Sequence, residues 1–223
     1  MLGPQTVKIT YLNGTQFIVG TTANNIPKIV QTDYATHMRF VLHYRGPLRS
    51  NGAPTHKHQL REEFHRQLKT LWRQPPLNEF TDFLKPKRTD GDYSLLRTLD
   101  QFVFVPLIAA EMNVVAEISV VLLRPESPGH LITQGGDIDN RLKTLFDALT
   151  MPRHLNALPT GAVPIAEQTP YFYCLLEDDN LVTSIDVKTE QLLEPVQDAA
   201  TVDLVIAVTT RVTRLTMGNG NFA

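Results

Sequence analysis

An α+β fold is expected, and three observations predict it. Segments rich in β-branched residues, "FVFVPLIA", "VVAEISVVLLRP" and "ATVDLVIAVTTRV", read as strands. Two other segments, 55–73 and 137–149, carry apolar residues at helical spacing. The order of these elements suggests a mostly antiparallel or mixed sheet with two principal helices on one face.

The chain has 223 residues, enough for one sizeable core or one core plus an appendage. A hydrophobic content of 42% with 20% charged residues fits a globular protein rather than a disordered one. No apolar run reaches membrane-spanning length and the N-terminus lacks a leader pattern, so a cytoplasmic protein without membrane partners is expected. The lone cysteine, Cys174, excludes an internal disulfide and a cysteine-rich zinc site. The formal net charge of −2 gives no global pull toward nucleic acid, so such a role would need a local basic patch.

The elements follow in order. Residues 7–19, "VKITYLNGTQFIV", read as a hairpin around an Asn-Gly turn, and 20–37 are polar without pattern. Residues 1–37 are therefore treated as an N-terminal extension, 38–215 as the main domain and 216–223 as a frayed tail. "MRFVLHYRGPL" alternates as a strand, and "RSNGAPTH" is turn material. In the helix over 55–73, Leu60, Phe64, Leu68 and Leu71 form the apolar stripe. Lys57, His58, Arg61, His65, Lys69 and Arg73 lie to one side, either as a solvated face, which Glu62 and Glu63 favour, or as a phosphate-contacting face. The "KPKR" knot, Lys85, Lys87 and Arg88, is a solvated loop or a backbone contact. After the second helix, residues 151–170 hold four prolines and form a long irregular connection. "YFYCLL", "LVTSIDVKT" and "ATVDLVIAVTTRV" complete the strands.

The second helix carries the chemistry. At ~100° per residue, Ile138, Leu142, Leu145, Phe146 and Leu149 share a stripe expected to face the sheet. Asn140, Lys143 and Asp147 cluster opposite, with Asp139 at their edge and Asp137 at the capping position. Capping explains Asp137, explains Asp139 less well, and does not explain a lysine in the opening turns. Paired carboxylates at a helix mouth beside Gly135 and Gly136 suit Mg²⁺, a hard cation usually held by one or two carboxylates plus substrate phosphate. Asp178 and Asp179 in "LEDDNLV" could supply a further carboxylate, although Asp is also an ordinary turn residue.

Taken together, Asp137-Ile138-Asp139-Asn140, Lys143, Phe146-Asp147-Ala148-Leu149 and Asp178-Asp179 before a strand resemble the RusA family of Holliday junction resolvases. The helix portion matches the family pattern position for position. The resemblance implies a homodimeric endonuclease that nicks branched DNA with Mg²⁺, or Mn²⁺ in its place, and needs no small-molecule cofactor. It implies that Asp137, Asp139 and Asp179, with Asp178, hold metal and that Lys143 is the essential lysine. Asn140 and Asp147 are then candidates for holding the lysine or a carboxylate in place. Three features depart from the family. The loop "RPESPGHLITQGG" lacks the arginines that precede the motif, the connection 151–175 is long, and 1–37 and about 78–100 have no counterpart. The alternative reading is a non-catalytic nucleic-acid-binding or assembly protein that keeps the fold. Strands 102–108 and 114–123 carry more apolar residues than a half-exposed sheet needs, which suggests an interface between two copies.

Overall fold

The computed structural model describes residues 37–87, 93–126 and 138–216, together with Thr89 and Asn219. In the N-terminal extension it describes the backbones of 6–10, 16–21 and 27–31. The fold is α+β, with two α-helices and mixed sheets.

In the extension, β1 (Thr6–Thr10) and β2 (Gln16–Thr21) pair antiparallel as the hairpin pattern predicts. The Asn-Gly turn itself lies outside the described residues. The stretch read as patternless adds a third strand, β3 (Pro27–Gln31), antiparallel to β2. "PKIVQ" is too short and too isolated to announce itself, and its pairing comes from the free edge of β2.

In the main domain, β4 (Arg39–Pro47) is followed by α1 (Pro54–Leu71), β5 (Arg97–Leu99), β6 (Phe102–Ile108) and β7 (Val114–Arg124). Then come α2 (Ile138–Leu149), β8 (Phe172–Leu176), β9 (Val182–Gln191) and β10 (Thr201–Val212). One sheet runs β4-β10-β7-β9 and the other β5-β6-β8. The β4-β10, β10-β7 and β5-β6 pairs are antiparallel, while β7-β9 and β6-β8 are parallel. The short β5 was not legible: its hairpin with β6 turns at Asp100, whose φ of +52° an aspartate tolerates. Among the described residues, no helix is long and apolar enough to cross a membrane.

Two strand pairs change sheet side by side, and this corner positions the acidic pair. The chain leaves β6 and enters β7 through a turn at Ala110–Met112, with Asn113 left-handed at φ +51°. It leaves β8 and enters β9 through Glu177 to Leu181. Glu177 ties the two crossings together. Its backbone N–H donates to Ile108 O at 2.9 Å, and its carboxylate accepts from Ala110 N at 2.9 Å and Arg97 Nε at 2.6 Å. Arg97 also reaches Glu111 at 3.3 Å.

The apolar excess of β6 is consumed inside the chain. Six of its seven residues are buried, the exception being the half-buried Val103. Phe102 and Phe104 pack with Phe172, Cys174 and Leu158, while Val105, Leu107 and Ile108 join the main core. The connection 151–170 thus covers one face of this sheet through Leu158, Met151 and Ala162. In β7, burial alternates, and the buried set joins the same core. The expectation that 102–108 is a surface between copies is therefore corrected: its second face is covered by the chain's own connection. Of the tail expected to fray, 216–223, only Thr216 and Asn219 are described. Asn219 is fully buried and its Nδ2 donates to Met112 O at 2.7 Å and Arg214 O at 2.8 Å.

The two helices lie against each other and share the core. The α1 stripe Leu60, Phe64 and Leu68 is buried as read. The side read as basic is not uniformly solvated, because His58, Arg61 and His65 are buried as well. They meet aromatic residues of the second sheet: His58 lies 5.7 Å and His65 4.7 Å from the Phe172 ring. His65 Nδ1 accepts from Tyr173 N at 2.9 Å, so Nε2 carries the proton and donates to Glu167 O at 3.1 Å. A neutral imidazole here satisfies an edge-strand N–H that the sheet leaves free.

On α2 the docking face is rotated from the expected stripe. Arg141, Thr144, Leu145, Ala148 and Leu149 are buried, whereas Ile138, Leu142 and Phe146 are half-buried at its flank. Arg141, outside both the expected stripe and the expected polar row, belongs to the buried set. It is 1% exposed and reaches Glu126 at 3.4 Å. Thr144 is buried because its hydroxyl accepts from Gly52 N at 2.9 Å. A Cβ on Gly52 would stand 2.8 Å from both His56 and Thr144, so only glycine allows this approach.

The buried imidazole has a measurable consequence. Burial, reinforced by the Arg61 charge, pushes His58 down from 6.5 to about 4. It is neutral at pH 7, so its 3.6 Å approach to Glu62 is not an ion pair; Glu62 instead accepts from Gln168 at 2.8 Å. Between pH 6.5 and 4 the unfolded chain binds the extra proton. This contribution to stability is full above pH 6.5 and falls as pH drops toward 4, by up to about 3 kcal/mol. His65 is lowered by burial too and adds in the same direction. Thermal melts over this range should show His58→Leu losing less stability on acidification than the parent chain. Parallel pH curves for the two proteins would rule out a buried neutral His58.

Candidate functional site

The residues singled out in the sequence fall into three groups. Asp137 and Arg88 lie outside the described residues. Asp139, Asn140, Lys143 and Asp147 sit on α2; Asp139 and Lys143 are exposed and Asn140 and Asp147 half-buried. Asp139 Oδ1 accepts from Asn140 N at 2.7 Å, so this carboxylate is turned onto the first turn of its own helix. Lys143 forms no ion pair with a described residue. Asp178 and Asp179 stand at the corner where β8 passes into β9. Asp178 caps a single 3-10 turn, Asp179–Leu181, by accepting from Asn180 N at 3.0 Å.

A cavity of about 450 Å³ gathers much of this chemistry. Its walls come from four segments: Lys57 and Arg61 of α1, Asp147 near the end of α2, Arg153 and His154 of the long connection, and Asp178 and Asp179 of the corner. The chain brings them together through local pairing. After α2, Thr150 bridges to Leu176 and Met151 N donates to Leu176 O at 2.9 Å, so the end of α2 is laid beside the end of β8. The acidic pair therefore meets the C-terminal half of α2. Asp139 is two turns away, ~12 Å along the axis from Asp147, and does not line this cavity.

Ion pairs cross the cavity. Lys57 Nζ meets Asp147 at 2.7 Å, and the Arg153 guanidinium meets the Asp178 carboxylate. Arg61 is 2% exposed and lies at the floor. Its Nη2 donates to Asp147 O at 2.8 Å and its Nε to Thr150 O at 3.2 Å. These are carbonyls at the C-terminal end of α2, where a cation complements the dipole and satisfies acceptors the helix leaves free. Arg61 is thus corrected from a surface phosphate contact to an internal helix cap.

The other basic residues are largely engaged. Lys69 donates to Glu167 O, Lys85 pairs with Asp82, and Lys87 meets Glu111 at 2.6 Å. Arg73 is exposed. Cys174 has its thiol pushed up to about 12 by burial, which excludes it as a nucleophile near neutral pH.

No family model, curated protein or solved structure matches this chain. The likeness to RusA therefore rests on the residues of α2 and of the acidic corner alone. The donor chemistry fits a hard cation, because Asp139, Asp178 and Asp179 offer carboxylate oxygen. Among the described residues, no group of three or more His, Cys, Asp or Glu is placed to share a metal ion. Asp137, the first of the expected ligands, is not among them.

Sequence reading missed Arg153 and His154 as members of this cavity. The available signal was positional: they directly follow α2, whose end must approach the acidic pair if the two motifs are to share a site. Asp147, expected only as a supporting residue, lines the cavity directly.

Proposed function

We propose that this chain is a metal-dependent endonuclease that hydrolyses phosphodiesters in branched DNA as a homodimer. The observation that carries the reading is the meeting of α2 with the Asp178-Asp179 corner at one open cleft. The C-terminal end of α2, with Asp147, and the Asp178-Asp179 corner share a neighbourhood despite the long connection between them, while Asp139 lies two turns toward the start of the helix.

Asp137, Asp139 and Asp179, with Asp178, are the residues that would hold Mg²⁺ or Mn²⁺. The bound cation would supply Lewis acidity and a more acidic water. Lys143, exposed on the polar face of α2, stabilises negative charge that builds on the phosphate as water adds and the leaving oxygen departs. Asn140 and Asp147 bracket Lys143 on that face, and Asp147 orients Lys57 into the cleft. Two copies would match the two-fold symmetry of a four-way junction. With β6 enclosed, Val41 of β4, Ile185 of β9 and Val205 of β10, at 59%, 54% and 37% exposed, are apolar residues of the four-stranded sheet that could serve that contact.

The second reading is a non-catalytic nucleic-acid-binding or assembly protein. It is favoured by the internal engagement of Lys57, Lys69, Lys85 and Lys87, which thins the basic surface. Incubation of the purified chain with a labelled synthetic four-way junction separates the two. Symmetric nicks with Mg²⁺ or Mn²⁺, absent with EDTA and absent in Asp179→Asn, are expected. Junction binding without strand scission under any divalent cation would leave the second reading.

A further inference from the structure

The fold ends its sheets in two different ways. At β4 a side chain of α1 closes the open side: Gln67 Oε1 accepts from His43 N at 2.9 Å, and its Nε2 donates to His43 O at 2.7 Å. At β8, His65 accepts from Tyr173 N in the same manner. β9, the last strand in the order β4-β10-β7-β9, has no such cover among the described residues. It runs for ten residues, Val182–Gln191, and none of them is buried. A long open edge presents a row of N–H and C=O groups that another strand can pair with.

We propose that β9 pairs antiparallel with β9 of a second copy, about a two-fold axis at Val187, and so joins the two four-stranded sheets into one. The inference rests on the homodimer of the endonuclease reading and not on its chemistry.

Backbone direction, strand length and charge together select this register. Leu192 N donates to Arg124 O at 2.7 Å, in line with the Arg124↔Gln191 register of the parallel β7-β9 pair. Backbone groups of successive strand residues point to opposite edges, so 186, 188 and 190 turn theirs to β7, while 185, 187 and 189 turn theirs outward. The register shift of β7-β9 falls between Ala116 and Glu117, so the regular run of β9 starts at Ser184. The longest overlap of that run with its own copy centres on Val187 or on Lys188. Charge decides between the two. Centred on Lys188, the pairing sets Lys188 against its own copy and Asp186 against Glu190. Centred on Val187, it sets Asp186 opposite Lys188 on both sides of the axis. Opposite charges across a strand pair are favourable and like charges unfavourable. Asp186 and Lys188 would occupy the non-hydrogen-bonded positions, where facing side chains stand closer. Both are exposed, Asp186 accepts from Ser119 Oγ at 3.2 Å, and neither forms an ion pair with a described residue. An edge lysine alone reads as a guard against strand pairing. Here an aspartate two residues away on the same face supplies its counterpart. On the other face, Val187 already packs against the core and Ile185 is 54% exposed. The pairing sets Val187 against its own copy and Ile185 against Thr189, which covers both.

Charge exchange tests the register. Association is measured by sedimentation over a range of concentrations, without DNA or metal. The samples are the parent chain, Asp186→Lys, Lys188→Asp, an equimolar mixture of those two, and the double variant Asp186→Lys/Lys188→Asp. Melting curves check that each variant folds, as the exposure of both residues leads one to expect. The parent should sediment as a dimer. Each single variant should raise the dimer dissociation constant about tenfold or more, because like charges then face each other twice. The mixture should regain the dimer, since each like-charged edge meets its opposite, and the double variant should regain it alone. A monomeric parent overturns the pairing, as does a mixture or a double variant that stays as weak as the single variants. A parent dimer that no charge change weakens removes β9 from the interface and leaves the homodimer itself standing. Because no cleavage is measured, a chain that pairs through β9 yet never nicks a junction would end the endonuclease reading and keep this interface.

Discussion

Lys143→Ala is expected to bind a four-way junction within about twofold of the parent chain while nicking it roughly 10²–10³ times more slowly. Lys143 lies four residues after Asp139 and four before Asp147, so the three share one face of α2. Its ammonium is exposed and makes no ion pair with a described residue, unlike Lys57, whose charge is held by Asp147. One lysine is a small fraction of the phosphate contacts a junction makes, and its removal lowers the salt dependence of binding only slightly. Charge that develops at the phosphate during reaction is a different matter, because a fixed cation acts there only as that charge appears. Single-turnover nicking beside anisotropy binding separates the two effects. Binding and cleavage that weaken together would make Lys143 an ordinary DNA contact.

The second large effect concerns folding. Arg61→Met should destabilise the chain by about 3 kcal/mol, lowering the melting temperature by roughly 6–12 °C. The methionine fills similar space but leaves the carbonyls of Asp147 and Thr150 without the donors that Arg61 now provides at 2.8 Å and 3.2 Å. Lys57→Ala, one turn earlier on α1, removes a partly exposed ion pair and should cost less than about 1 kcal/mol. Equal melting temperatures for Arg61→Met and the parent would contradict the cap. Burial also lowers the Arg61 guanidinium from its ordinary value, the electrostatic cost of placing it at the floor of the cleft.

These two residues mark the boundary between what sequence and fold each decide. Lys143 was legible because its evidence is local. Three or four residues of spacing on a helix fix which side chains share a face, and the apolar positions of α2 place its polar row opposite. The principal strands and both helices were legible for the same reason, since period and β-branched content are properties of a short window. Arg61 was not legible. On a helical wheel it belongs with Lys57 and Lys69, and only the arrival of α2's C-terminus over α1 turns it into an internal donor. The same holds for Arg141, whose burial rotates the docking face of α2 away from its most apolar stripe. A long cationic side chain is read from sequence as surface, yet its burial depends on which carbonyl or carboxylate a distant segment brings to it.

The site divides along the same line. The sequence by itself determined the polar row of α2 and the acidic pair at 178–179, on which the proposed divalent-cation site rests. Tertiary structure alone decided where they meet. Pairing of Thr150 and Met151 with Leu176 lays the end of α2 against the sheet corner, so Asp178 and Asp179 face Asp147 and Lys57. It also decided that the proline-bearing connection is part of the site, because Leu158 and Met151 cover the aromatic sheet face and so carry Arg153 to Asp178. The reason is physical. Spacing along one helix is set by covalent geometry, whereas contact between segments separated by a long connection is set by burial of apolar surface that no local window contains.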